Sequence, residues 1–127
     1  MKKIITFGTF DLFHIGHLHI LKRAKEQGDY LIVGVSSDEL NKKKGKVSII
    51  PFNERIDIVK SIKYVDEVFI EDSLELKDQY IKDHNADVLV MGDDWKDEFN
   101  WVSCSVLYLE RTPNVSTTLI KKILNEK

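Results

Sequence analysis

The sequence has almost none of the residues that form covalent or metal cross-links, and it has no long apolar segment. Cys104 is the only cysteine among the 127 residues, which excludes an intrachain disulfide and a metal site built from several thiolates. No window approaches the roughly 18 apolar residues that a membrane-spanning helix needs, and the two N-terminal lysines are not followed by the apolar run of a signal peptide. We therefore expect a protein of the cytoplasm with no membrane partner.

The sequence also lacks an excess of charge of one sign. Charged residues make up 31% of the chain, yet they nearly cancel to a formal net charge of −2. General nucleic-acid and membrane-surface binders carry a strong basic excess, so both classes are disfavoured. A chain of this length is expected to form one domain, residues 1–127, which buries about two-thirds of the surface of its unfolded form. Any recognition of phosphate must therefore be local.

Near its start the sequence contains a segment that predicts a strand, a short loop and the beginning of a helix. The β-prone run Ile4–Phe7 ends at Gly8, and after a short loop a helical pattern begins at His14. Glycine lets the backbone approach a ligand closely, and the helix N-terminus offers unpaired N–H groups and the positive end of its dipole. His14 and His17 share one helix face, so the stretch predicts a site for an anion such as the phosphates of a nucleotide. The alternatives are two exposed histidines or a zinc pair completed by Asp11, and zinc is disfavoured because no fourth ligand is indicated.

Apolar runs typical of buried strands alternate with helical patterns along the rest of the chain. The predicted strands are Ile4–Phe7, Tyr30–Ser36, Val65–Ile70, Asp87–Met91 and Val106–Leu109, and the predicted helices begin near His14, Pro51, Ser73 and Ser116. Gly28 is placed to end the first helix, the polar segment Ser37–Ile50 predicts a mobile loop, and Arg55 is assigned to the solvent-facing side of the second helix. This alternation predicts an α/β fold: a single doubly wound, Rossmann-like domain with a five-stranded parallel sheet and helices on both faces.

Three unusual segments follow predicted strands in this arrangement. They are Gly8–His17 after the first strand, Gly92–Trp95 after the fourth and Arg111–Thr118 after the fifth. Ligands of doubly wound sheets bind beyond the carboxyl ends of the strands, at the point where the strand order reverses. We therefore expect these three segments to meet at one edge of the sheet and to form a binding site there.

The first segment resembles the signature of a known enzyme family. Gly8-Thr9-Phe10-Asp11 followed by His14-Ile15-Gly16-His17 is similar to the motif of the HIGH-motif nucleotidyltransferases, and the whole chain most resembles their cytidylyltransferase branch, closest to the members that use glycerol 3-phosphate. The resemblance implies that His14 and His17 contact the triphosphate and stabilise the transition state. It also implies that Gly8, Thr9 and Phe10 hold the nucleotide through backbone groups.

The third segment strengthens the resemblance. Arg111-Thr112-Pro113-Asn114-Val115-Ser116-Thr117-Thr118 resembles the RTxGxSTT signature of cytidylyltransferases. By resemblance, Arg111, Thr112, Ser116 and Thr117 grip the β- and γ-phosphates. Asn114 stands where the family usually has glycine, and asparagine tolerates left-handed backbone angles better than most residues, so we expect the turn to be kept.

The resemblance assigns the remaining site residues to the base, the phosphates and the acceptor. Asp94 would accept a hydrogen bond from the exocyclic amine of cytosine, where uracil would present a carbonyl. Lys44 and Lys46 would close over the phosphates, and Lys44 would join His14, His17 and Arg111 in catalysis. The expected acceptor-binding residues are Asp11, Arg55, Lys63 and Trp95. Lys63 stands where the family tends to carry arginine. An ammonium group, which acts as a point charge, therefore replaces a guanidinium that can donate two parallel hydrogen bonds to a phosphate.

Together these features predict a cytidylyltransferase that transfers CMP from CTP to a small phosphomonoester, glycerol 3-phosphate first among the candidates, for a cell-surface polymer or capsule. The resemblance implies Mg²⁺ bound with the CTP phosphates rather than in a metal site of the protein, and a homodimer. The open alternatives are another phosphorylated acceptor, an adenylyltransferase of the same superfamily and a nucleotide sensor without turnover.

Overall fold

The structure, a computed structural model, describes residues 1–111 and 116–125, and within them five parallel strands form one sheet. The strands are β1 (Lys3–Gly8), β2 (Tyr30–Ser36), β3 (Glu67–Glu71), β4 (Val88–Gly92) and β5 (Ser105–Leu109). Their order across the sheet is β3-β2-β1-β4-β5. The chain moves outward from β1 to β3 and then crosses back, so the strand order reverses between β1 and β4. A crevice opens at such a reversal, beyond the carboxyl ends of the strands.

Helices cover both faces of the sheet. They are α1 (Ile15–Glu26), α2 (Asp38–Lys43), α3 (Phe52–Lys60), α4 (Lys77–Asp83) and α5 (Thr117–Asn125), and a 3₁₀ turn, Asp93–Trp95, follows β4. On one face, α1 and α3 contribute Leu21, Ala24 and Val59 to the core; on the other, α4 and the segment after the 3₁₀ turn contribute Ile81 and Phe99. The predicted doubly wound α/β fold is confirmed. No helix in the described ranges is long and apolar enough to cross a membrane.

The predicted boundaries hold best at the centre of the sheet. The bounds of β2 are those predicted, because its residues are buried on both faces and the strand is a near-continuous apolar run. At the edge, β3 begins at Glu67 rather than at Val65, whose N–H donates to the carbonyl of Ile62 in the turn after α3 (3.0 Å). The fourth helix begins at Lys77 instead of near Ser73, since the segment before it forms a bend and a turn.

Two expectations about polar residues were wrong. The segment predicted as a mobile loop, Ser37–Ile50, contains α2, which Ser37 caps by accepting a hydrogen bond from the N–H of Leu40 (3.0 Å). Arg55 does not face solvent: its side chain is fully buried under the loop that follows β1. Both errors have one cause, because the sequence pattern treats a charged side chain as solvated and the fold supplies these groups with internal hydrogen-bond partners.

Candidate active site

The three segments expected to meet do so in a cleft of about 200 Å³ at the carboxyl edge of the sheet, between β1 and β4. The predicted residues that line it are Gly8, Thr9, Phe10, His14, His17, Asp94, Trp95, Arg111, Ser116 and Thr117. Thr112 and Asn114 lie outside the described residues. The structure thus brings together the described parts of the predicted nucleotide site, and the role of each residue there stays a prediction.

The two histidines are locked by a reciprocal cap at the start of α1. Nδ1 of His14 accepts from the N–H of Gly16 (3.0 Å), and Nδ1 of His17 accepts from the N–H of His14 (3.2 Å). A backbone N–H can only donate, so both Nδ1 atoms are unprotonated and each neutral ring carries its proton on Nε2. The rings stack with their centroids 3.9 Å apart. Both imidazoles are therefore held as oriented Nε2–H donors.

Electrostatics keep these imidazoles neutral. Burial, reinforced by His14, lowers the pKa of His17 to about 3, although Asp11 acts in the opposite direction. Burial and the nearby Arg111 also lower the pKa of His14. The first turn of α1 carries no acidic side chain, so its positive dipole end is not compensated by the helix itself. A cleft with a cationic guanidinium, a helix N-terminus and two neutral donors is suited to an anionic group.

The loop between β1 and α1 is held in a strained conformation. Phe10 and Leu12 have φ angles of 54° and 50°, in the left-handed region that residues with a side chain seldom adopt. The Phe10 ring lies against Gly8, where a Cβ would be 2.8 Å from it. Such strain persists only where the surroundings impose it, and here two buried charged residues supply the restraint.

The first of these residues is Arg55. Its Nη1 donates to the carbonyl of Thr9 (2.7 Å) and to that of Ser36 (2.8 Å), its Nε donates to Ile50, and its Nη2 pairs with Asp38 (2.7 Å). These contacts occupy four of its five N–H donors. The predicted contact of Arg55 with the acceptor stays a prediction, and in the structure its buried guanidinium fixes the Thr9 backbone at the floor of the cleft.

The second is Asp11, which is also buried. Its carboxylate accepts from the N–H groups of Ile49 (2.8 Å) and Ile50 (2.9 Å) and lies 3.4 Å from Nζ of Lys121, while its carbonyl accepts from Oγ1 of Thr117 (2.8 Å). Burial acts to raise the pKa of this carboxyl, but the two N–H groups and Lys121 hold it below the usual value. Asp11 thus fastens α5 and the segment before α3 to the β1–α1 loop, and its oxygens face protein rather than the predicted acceptor.

Lys63 does not reach the cleft. It is exposed in the turn before β3, at the amino edge of the sheet, and its Nζ lies 5.2 Å from the centroid of the Tyr64 ring. Of the four residues predicted to bind the acceptor, Trp95 lines this cleft, and Asp11, Arg55 and Lys63 do not. Its assignment to the acceptor stays a prediction from motif position, and motif position does not show at which edge of the sheet a helix ends.

A second cavity, of about 170 Å³, adjoins the first. The two share a floor formed by Phe7, Gly8, Thr9, Met91, Asp94 and Trp95. Three ammonium groups line the second cavity, from Lys44, Lys46 and Lys77, together with the carboxylate of Glu71. Lys44 and Lys46 were predicted to close over the nucleotide phosphates, and the structure places them here, beside the cleft and not within it.

Lys77 and Glu71 were missed by the sequence analysis. Lys77 lies on the buried face of α4, with its Nζ 3.0 Å from Oε2 of Glu71, the last residue of β3. A lysine four residues before the core residue Ile81 and a glutamate at the carboxyl end of a strand were the available signals. Neither belongs to a recognised motif, and only the sheet brings them together.

Asp94 lies where the two cavities meet. Its Oδ1 is 2.7 Å from the position that a Cβ on Gly92 would take, so glycine at that position lets the carboxylate lie over the end of β4. A larger residue at position 92 would push the carboxylate away. The carboxylate predicted to contact the base is therefore held in a defined position, at the junction of the two cavities.

Comparisons with known proteins point to one family. Residues 5–123 match the model of the family described as "Cytidylyltransferase-like". The chain is 52% identical to a glycerol-3-phosphate cytidylyltransferase of Bacillus subtilis (strain 168), over 96% of each chain. It is 46% identical to the protein of that name from Staphylococcus aureus (strain NCTC 8325 / PS 47), over 100% of this chain and 98% of the other. A solved structure of a lipopolysaccharide core biosynthesis protein from Thermoplasma volcanium GSS1 superposes with a TM-score of 0.75 and 26% identity, covering 88% of this chain and 97% of the other.

Proposed function

The chain belongs to the cytidylyltransferase-like family, and we propose that it transfers CMP from CTP to glycerol 3-phosphate and releases pyrophosphate. The relatives named for this activity are about half identical to the chain over nearly its full length. The observation that carries the proposal is the pair of cavities with one floor, since a transfer between two phosphates needs two anion sites within reach of each other. The first cavity has the donors for a triphosphate, and the second has the charges for a phosphomonoester.

In the first cavity, the nucleotide would lie along the edge from Asp94 to α5. Cytosine would donate its exocyclic amine to Asp94, and the Gly8–Phe10 backbone would lie under the α-phosphate. The β- and γ-phosphates would contact Arg111, Ser116 and Thr117, with Thr112 as a further predicted contact. This arrangement places the α-phosphate between the Nε2–H groups and the second cavity.

In the second cavity, the phosphate of the acceptor would pair with Lys44 and Lys77, and Lys46 would contact it from the more exposed side. One oxygen of that phosphate attacks the α-phosphorus in line, and the bond from this phosphorus to the oxygen bridging to the β-phosphate breaks. Pyrophosphate leaves with the electron pair. Because the attacking phosphate is already an anion, the step needs no general base, and the chain has only to position the reactants and stabilise charge.

The histidines would provide much of that stabilisation. Their Nε2–H groups are fixed before the reaction and aim at the oxygens of the α-phosphate as charge shifts in the transition state. Neutral donors suit this task, because they stabilise growing charge without forming an ion pair with CTP in the ground state. Arg111 would balance the charge of the leaving pyrophosphate, on the side of the α-phosphorus opposite the acceptor.

We propose Mg²⁺ as the metal, carried in on the triphosphate. In residues 1–111 and 116–125 no group of three or more His, Cys, Asp or Glu side chains is arranged to hold an ion. Mg²⁺ prefers phosphate oxygens and water as ligands, so the triphosphate would supply its ligands. The ion would neutralise phosphate charge when bound. We also propose a cytoplasmic homodimer, on family grounds, and sedimentation velocity at micromolar protein would detect a monomer if this is incorrect.

Pyrophosphate release tests the reaction. The protein is incubated with Mg²⁺, CTP and either glycerol 3-phosphate, another polyol phosphate or phosphocholine, and then with UTP or ATP in place of CTP. We expect release to depend on CTP and glycerol 3-phosphate together and ³¹P NMR to detect a pyrophosphate diester. Turnover with phosphocholine alone would change the acceptor, preference for ATP would favour the adenylyltransferase alternative, and nucleotide binding without turnover on any acceptor would favour the sensor.

A further inference from the structure

Glu71 is a buried carboxylate that the proposed reaction does not use. Only 1% of its surface is exposed, at the wall of the second cavity. Its Oε1 accepts from Oγ of Ser36 (3.0 Å), and that same Oγ accepts from Nζ of Lys44 (3.2 Å). Its Oε2 accepts no hydrogen bond from the described part of the chain and has the Lys77 ammonium beside it at 3.0 Å. One carboxylate is thus linked to two lysines that the acceptor phosphate would meet.

Lys77 is held in an unusual environment. Its Nζ lies 3.9 Å from the centroid of the Phe7 ring and 4.4 Å from that of Phe99, and 1% of its surface is exposed. Two aromatic faces attract a cation, but they do not replace the water that a buried ammonium has lost. Glu71 is the carboxylate that compensates for this loss.

Glu71 favours the charged form of both lysines. Burial lowers the pKa of Lys77 and of Lys44, and for each of them Glu71 is the group that acts in the opposite direction. For Lys44, the neighbouring cations Lys46, Lys77 and Arg55 lower the pKa further. The charged groups lining this cavity are Lys44, Lys46, Lys77, Glu71 and Asp94.

Stability alone gives a poor account of this arrangement. A buried ion pair is weak evidence for stability, because the cost of desolvating two charges often exceeds their attraction and apolar residues of the same size can do as well. The pair here forms the wall of a polar cavity, with a second cation linked to it through a serine. That position is the one where a fixed positive charge serves an anionic ligand.

We propose that Glu71 is a positioning residue for the acceptor: it keeps Lys77 and Lys44 charged and in place, directly for Lys77 and through Ser36 for Lys44. The inference rests on the proposed function, since it takes the second cavity as the acceptor site. It has a consequence that simple Coulomb attraction does not predict. Removing a negative charge from an anion site should weaken the binding of the anion, because the two cations lose the group that holds them.

The test is Glu71→Gln, which keeps the shape of the side chain and removes its charge. We expect the KM for glycerol 3-phosphate to rise about tenfold or more at pH 7.5, the scale of losing a charge-assisted contact, while the KM for CTP stays within about twofold. The ratio of variant to wild-type KM for glycerol 3-phosphate should grow between pH 7 and 9, as the lysines lose their protons more readily. A purely structural role would not produce this pH-dependent split between the two substrates.

Glu67→Gln is the matched control. Glu67 is on the same strand, but its carboxylate accepts from the hydroxyl of Tyr30 (2.9 Å) and lies 3.4 Å from Nε2 of His84, outside both cavities. We expect wild-type kinetics from it. Ser36→Ala is a second variant, which removes the hydroxyl that links Glu71 to Lys44 and leaves the pair of Glu71 with Lys77 in place. We expect from it a rise of a few-fold in the KM for glycerol 3-phosphate.

A KM for glycerol 3-phosphate that falls or stays the same in Glu71→Gln would overturn the inference. If that variant does not fold, an unchanged KM in Ser36→Ala would overturn it. Failure of the proposed function is a separate result, since it would appear as wild-type protein that does not turn over glycerol 3-phosphate at all.

Discussion

The two nitrogens of His17 have separate tasks, and two substitutions can separate them. Nδ1 accepts the N–H of His14 and so caps α1, whereas Nε2–H is left for the cleft. In His17→Asn the side-chain oxygen can take the place of Nδ1, and the donor at Nε2 is lost. In His17→Ala both the cap and the donor are lost. Both variants remove the ring contacts with Phe10 and Phe13, at 5.4 and 5.3 Å, so this loss cancels when they are compared.

The expected effects differ in kind. Loss of one preorganised donor lowers kcat by about 10² to 10³, so His17→Asn should lose that much turnover with little change in the KM for CTP. Loss of a cap costs about 1 kcal/mol, which lowers the melting temperature of a domain of this size by roughly 3 to 5 °C. We therefore expect His17→Ala to melt below His17→Asn, while both lose turnover because neither has the donor. Because the donor is a neutral imidazole, the kcat of the wild type should show no ionisation of His17 between pH 6 and 8.

The assay is steady-state pyrophosphate release at saturating glycerol 3-phosphate with CTP varied, combined with thermal melting followed by circular dichroism. The melting curve shows that each variant is folded before its kcat is interpreted. Near-normal turnover in a folded His17→Asn would refute the donor role and, with it, the placement of the α-phosphate at the start of α1.

Three further predictions follow from the same geometry. Asp94→Asn should reduce kcat/KM for CTP by about tenfold more than for UTP, since an amide can donate where the carboxylate only accepts, and an equal loss for both nucleotides would remove Asp94 from the base site. The pKa of His17 is about 3 in the folded chain, against an ordinary value of 6.5. Between pH 6.5 and 3 the unfolded chain therefore binds more protons than the folded chain, and stability falls as the pH drops through this range. The urea midpoint should fall less between pH 6.5 and 4.5 for His17→Asn than for the wild type. Lys121→Met removes the contact of α5 with Asp11 and should raise the KM for CTP a few-fold. Lys122→Met, at an exposed position of the same helix, should leave this KM unchanged. Equal KM values for the two variants would contradict a role of the Lys121–Asp11 contact.

The sequence predicts the fold best where burial requires a continuous segment of the chain to be apolar. The strand Tyr30–Ser36 is covered on both faces, so nearly every residue is apolar and both of its ends are visible in the sequence. The helix Asp38–Lys43 was missed because its residues are mostly polar and its cap, Ser37, is followed by a run of lysines that also fits a loop. Arg55 was assigned to solvent because no local pattern shows that its partners, the carbonyls of Thr9 and Ser36, lie in distant parts of the chain.

The same contrast divides the candidate site. The features predicted for the nucleotide half are helix N-termini, backbone N–H groups and short loops, and these need particular residues at fixed spacing, so contiguous motifs indicate them. The proposed acceptor half depends on side-chain charges from β3 and α4 and from the end of α2, which are far apart in sequence and have no fixed spacing. A change at Lys77 or Glu71 would leave every nucleotide motif intact. We therefore expect chains with the same motifs to differ in their acceptors, and the lining of the second cavity, rather than the histidine motif, to be the part of the structure that distinguishes them.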